Sequence, residues 1–151
     1  MMLVRPQTEP SASPSSAELR LVLRHPQDAR HLSEQQLGWL SLGLRGDARC
    51  SLQGLLEDIE LEMAHLWSIE DAQGVAAMLI VTRIVEYELC DAFEVQICGG
   101  TRMRECLRLL PELEQHARNL ECKYIELRGR PGWQRMLPEY SVRGVALERE
   151  L

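Results

Sequence analysis

FEVQICGGTRMRECLRLL, running from Phe93 to Leu110, passes from alternating apolar residues through two glycines into helical spacing, and so reads as strand, glycine turn and helix. A turn of this kind leaves unbonded backbone N–H groups at the helix N-terminus, where the macrodipole favours a phosphate. Arg102 and Arg104 fall in the first turn of that helix, against the dipole, with Arg108 one turn later. Cations in that place make sense when an anion lies between them and the helix end; the alternative is surface pairing with Glu105 or Glu112.

Downstream, KYIELRGRPGWQRML (Lys123 to Leu137) repeats the change of period as a strand over Lys123–Leu127 and a short helix over Pro131–Leu137. Gly129 permits the turn, Pro131 suits a first helical position, and Trp133 is a large packing anchor. A last strand is expected over Val142–Leu151. Between the two quoted stretches, Met103, Cys106, Leu107, Leu110, Leu113, Ala117 and Leu120 keep helical spacing. Pro111 removes a donor there, so either the helix kinks or a second one starts with proline in its first turn.

Upstream, Glu18 to His25 alternates polar and apolar and reads as a first strand. Ser33 is a suitable N-cap for a helix carrying Leu37, Leu40 and Leu44 and ended by Gly46; Ser51 caps a second with Leu52, Leu55, Leu56 and Ile59 on one face. Glu57, Asp58, Glu60 and Glu62 form its solvated acidic side. A strand at His65–Ile69 and a turn at Asp71–Gly74 lead into the apolar run Val75–Val85, a central strand covered on both faces, and a further strand covers Ala92–Cys98. Residues 1–16, rich in proline and serine, are expected to be an arm that is mobile or ordered by a partner, and 17–151 a single domain.

The 151 residues suffice for one core, and 45% apolar with 26% charged residues is globular composition. A formal charge of -6 argues against a general nucleic-acid coat. Five cysteines without a C-x-x-C pair match a reducing compartment, and four histidines without ligand spacing imply no metal. With no apolar run long enough to span a membrane and no leader-like N-terminus, the expected location is the cytoplasm, or a particle assembled there.

The element order β-α-α-β-β-β-α-β-α-β, an α+β arrangement, resembles the GCN5-related N-acetyltransferase (GNAT) superfamily, whose mixed, mostly antiparallel sheet is flanked by helices. In that superfamily a loop of pattern Q/R-x-x-G-x-G/A opens a helix that holds the pyrophosphate of acetyl-coenzyme A. Gln96, Ile97, Cys98, Gly99, Gly100 and Thr101 stand at the six positions, with Gln96 and Gly99 in agreement and Thr101 where Gly or Ala is usual. A threonine there can still cap the helix. The resemblance thus implies acetyl-coenzyme A as cosubstrate, held by Gln96 to Thr101 with Arg102 and Arg104, and an amine as acceptor. GRPGWQRML followed by VALEREL is similar to small phage-encoded proteins of the superfamily. Arg128, Arg130 and Arg135 would then stand near the splayed strand ends.

Acetyl transfer in such proteins uses a base, often a strand glutamate acting through water, and an acid, often a tyrosine on the last short helix. The candidates for the base are Glu94 and Glu86, with Glu88 a third choice; no tyrosine falls within Pro131–Leu137, and Tyr140 follows it. Cys98 as a nucleophile has no histidine fixed beside it and reads better as a small apolar residue. Two functions follow from the resemblance. One is an acyl-coenzyme A dependent N-acetyltransferase; the other is a non-catalytic phage virion or accessory protein that keeps the fold and docks on partner subunits through its arm.

Overall fold

The computed structural model describes residues 18–44, 47, 49–129, 132–144 and 146–151. The expected arm, Gly46 as a helix end, Arg130 and the Pro131 helix start lie outside the described residues. A five-stranded sheet holds the strands in sequence order: β1 (Arg20–Leu23), β2 (His65–Glu70), β3 (Ala76–Glu86), β4 (Asp91–Gly100) and β5 (Tyr124–Leu127). Neighbours from β1 to β4 are antiparallel, and β5 joins β4 in parallel. The helices are α1 (Glu34–Leu44), α2 (Leu52–Glu60), α3 (Met103–Cys106), α4 (Leu110–Asn119) and α5 (Trp133–Met136).

Local chemistry accounts for the helix starts. The Ser33 hydroxyl accepts from the Gln36 N–H at 3.2 Å while the Gln36 side chain accepts from the Ser33 N–H at 3.0 Å, a reciprocal cap. The Ser51 hydroxyl accepts from the Gly54 N–H at 3.0 Å. Pro111 falls in the first turn of α4 and is preceded by a tightened 3-10 turn, Leu107–Leu109, so the long helical stretch is bent there rather than continuous. A further 3-10 turn, Pro26–Arg30, follows β1; the His25 ring accepts from the Gln27 N–H, and Pro26 fills the first helical position.

Burial follows the strand alternation. On one face Met78, Ile80, Phe93 and Val95 pack against Leu110 and Leu113 of α4. On the other, Leu66, Leu79, Val81 and Ile97 pack against Leu40 of α1 and Leu55 and Ile59 of α2. The expected last strand does not form: 142–144 and 146–151 carry no strand, and Leu147 is 93% exposed. That stretch gives its apolar side chains no surface to cover, and a strand without burial or ladder bonds does not repay its ordering entropy.

Candidate active site

β4 changes character midway. From Asp91 to Val95 it is bonded to β3 on one side, and from Ala92 to Val95 it is bonded to β5 on the other, ending with Ala92 opposite Tyr124 through Val95 opposite Leu127. The last bond between them runs from the Arg128 N–H to the Val95 carbonyl at 3.4 Å. Beyond it β5 stops while β4 continues to Gly100, so its outer edge from Gln96 to Gly100 has no strand beside it among the described residues. The register with β3 also slips here: Val81 faces Ile97 and Thr82 faces Val95, which leaves Gln96 as the extra residue of a β-bulge. The bulge turns Ile97 to the α1–α2 face, and the Gln96 Oε1 atom is buried with no hydrogen-bond partner among the described residues.

The expected glycine turn is not where the sequence suggested. Gly99 and Gly100 are the end of β4, opposite Leu79 and Met78. Their lack of side chains serves close packing: a Cβ on Gly99 would lie 2.7 Å from the Trp39 carbonyl oxygen of α1. On Gly100, whose φ is 153°, a Cβ would lie 2.4 Å from the Ala77 carbonyl oxygen. Thr101 does not cap the helix either. Its N–H and hydroxyl both donate to the Ala77 carbonyl, and Arg102, in the left-handed conformation, is the cap residue of α3. Of the pyrophosphate residues expected from the sequence, Thr101 and Arg102 lie at the turn and Arg104 in α3, while Gln96 to Gly100 are strand. Arg102 is paired with Glu105, the surface alternative weighed above.

Next to the end of β5, and below α3 and α4, is a narrow apolar cavity of about 20 Å3 lined by Val95, Cys98, Cys106, Leu127 and Trp133 among others. Burial pushes the Cys98 thiol up to about 12, which keeps it protonated and agrees with its reading as a small apolar residue.

Glu94 lies just before the bulge on the α1–α2 face and is 2% exposed. Its Oε1 accepts from Nε of Arg83 at 2.7 Å, and its Oε2 lies 3.2 Å from Nε of Arg128. Beside it in the parallel register stands Glu126, which accepts from the Tyr87 hydroxyl at 3.1 Å and from Arg143 Nη1 at 2.9 Å. The other candidate bases are elsewhere. Glu86 is exposed at the end of β3 and points to the opposite face, and Glu88 is exposed in the β3–β4 turn. The Tyr140 hydroxyl is engaged by α4: it donates to Glu114, and burial with that carboxylate raises its pKa, holding the proton in place. Among these residues, Arg83 carried an unread signal: an arginine inside an otherwise apolar run needs a buried partner of opposite charge.

No family model matches the chain, and no curated protein matches it. Solved structures do. A ribosomal-protein-alanine N-acetyltransferase from Brucella melitensis superposes with a TM-score of 0.62 at 10% identity, covering 88% of this chain and 99% of that one. A GNAT family acetyltransferase from Staphylococcus aureus gives 0.62 at 14% identity, over 89% and 99%. An aminoglycoside 6'-N-acetyltransferase from Acinetobacter baumannii gives 0.61 at 11% identity, over 88% and 99%. No described helix is long and apolar enough to cross a membrane. With its five-stranded sheet, antiparallel from β1 to β4 and parallel at β4–β5, the chain has the fold of the GNAT acetyltransferases.

Proposed function

We propose that the chain is an acyl-coenzyme A dependent N-acetyltransferase whose chemistry lies where β4 and β5 part. The observation that carries this is the outer edge of β4 from Gln96 to Gly100, which has no strand beside it among the described residues, together with the buried Gln96 Oε1, which has no hydrogen-bond partner among them. An extended chain bearing amides adds to such an edge as a further strand would, and a buried acceptor without a donor fits an amide N–H. The thioester of a bound acyl-coenzyme A supplies the activated acyl carbon. Backbone N–H groups at the bulge polarise its carbonyl oxygen, the apolar cavity excludes water, and the N–H groups opening α3, together with Arg104, face the pyrophosphate. In this reading Gln96 to Gly100 contribute a strand edge rather than a glycine loop.

The acceptor amine enters from the α1–α2 face. Glu94 takes its proton, directly or through one water, as the nitrogen attacks; the C–N bond forms, the C–S bond breaks, and the thiolate leaves. Glu86 and Glu88 are too far round the hairpin to share this role. A second reading, a non-catalytic component such as a phage accessory protein, draws on the bond that ties Tyr140 to Glu114 instead of offering a proton to the thiolate.

Calorimetry and steady-state kinetics test the proposal together. The native chain is expected to bind acetyl-coenzyme A and to acetylate an amine, and Glu94→Gln to keep the binding while losing kcat by about 10²- to 10⁴-fold. Binding without turnover in the native chain favours the second reading, and no binding at all removes both the cosubstrate and the transferase.

A further inference from the structure

Glu94 is the buried carboxylate of a cluster with more positive than negative charge. Arg83 from β3 and Arg128 from the end of β5 each address one of its oxygens through Nε, at 2.7 and 3.2 Å. Their side chains are 43% and 69% exposed, so each guanidinium is anchored at its inner edge and open to solvent beyond it. Two cations against one carboxylate leave a positive excess at the mouth. Glu126 does not cancel it, because Arg143 pairs with that carboxylate and the Tyr87 hydroxyl donates to it.

This arrangement discriminates between amines. A simple amine arrives as an ammonium ion, and the net positive mouth repels it. An acceptor that carries an oxyanion a few bonds from its amine meets complementary charge at both ends: guanidinium forks for the oxyanion and Glu94 for the ammonium. An oxyanion that engages Arg128 also draws that guanidinium from Glu94 Oε2, which frees the carboxylate to accept the proton.

Resting on the transferase reading, we infer that the acceptor is an amine bearing a carboxylate or phosphate, and that Arg128 and Arg83 bind this oxyanion at the mouth of the Glu94 site. Matched acceptor pairs, an amino acid with its α-amide and an amino-sugar phosphate with the free amino sugar, separate the two oxyanion types. In the native chain kcat/KM is expected to favour the anionic member of one pair by about 10- to 100-fold, the range of a charge-assisted hydrogen bond. Arg128→Met is expected to abolish that preference mainly through KM, and Arg128→Lys to restore part of it. Equal rates within both pairs, or an equal loss on both members in Arg128→Met, overturns the inference while leaving the transferase standing. A measurement independent of turnover is calorimetric titration of the native chain with the same four compounds. Tighter binding of an anionic member, lost in Arg128→Met, supports the oxyanion site even where acetyl-coenzyme A fails to bind; indifference to the anion overturns it.

Discussion

The two halves of β4 share one strand and differ in nearly everything else. Ala92 to Val95 is bonded to strands on both sides, and Phe93 and Val95 enter a core that includes Trp67 and α4. Beyond Gln96, Ile97 to Gly100 pairs with β3 and, among the described residues, with no strand on its other side, and it is pressed so close to α1 and β3 that its last two residues are glycines. One inserted residue separates the halves. A bulge re-aims the side chains beyond it, so Ile97 faces α1 and α2 where an unbroken strand would turn it towards α4.

Substitutions in each half should break the comparison in different ways. Phe93→Ala removes a ring that is 2% exposed and is expected to cost about 4 kcal/mol in urea unfolding, with the preference among acceptors unchanged in whatever folded protein remains. Gly100→Ala, which sets a methyl group against the Ala77 carbonyl in a left-handed conformation, is expected to cost about 3 kcal/mol. It should also weaken acetyl-coenzyme A binding, because the free edge must shift; a stable variant with native affinity would show that the close approach is dispensable.

The smallest effect concerns pH. The His116 ring packs edge-on to Trp67 at 4.7 Å and to Phe93 at 5.9 Å, and burial, with His65 nearby, lowers its pKa below the ordinary 6.5. The unfolded chain then takes up a proton before the folded one does, so stability is full above 6.5 and declines as pH falls from 6.5 towards the folded value, levelling below it. His116→Phe is expected to flatten the unfolding free energy between pH 7.5 and 5.5. A native and a variant chain with the same slope would show that His116 does not titrate differently on folding.

Much of this fold could be read from short-range chemistry. Ser33 and Ser51 announced their helices through the hydroxyl each offers, and the apolar run from Val75 announced a strand covered on both faces. The bulge could not be read, since register belongs to the pairing of β3 with β4 and not to either segment alone. Two glycines before a helix look the same whether they open a loop or admit a neighbouring helix; only the Trp39 carbonyl beside Gly99 decides. The strand expected at Val142–Leu151 had the right alternation and lacked a covering surface, which alternation does not report. Glu94 could be named as a candidate base from its strand, whereas its clamp could not, because Arg83 and Arg128 meet it only once three strands are aligned.

The three tryptophans divide the molecule in a way that light can read. Trp67 lies within the core and donates its indole N–H to Thr82 Oγ1 at 2.9 Å, so its emission changes only when the sheet itself comes apart. Trp133 lies over Gly129 and lines the cavity beside β5, where anything entering the gap between β4 and β5 alters the polarity around its ring. Trp39, whose carbonyl and Cβ sit against Gly99, is partly buried against the core shared by α1 and α2. The chain thus carries separate native fluorophores in its core, beside the cavity at the end of β5, and under α1.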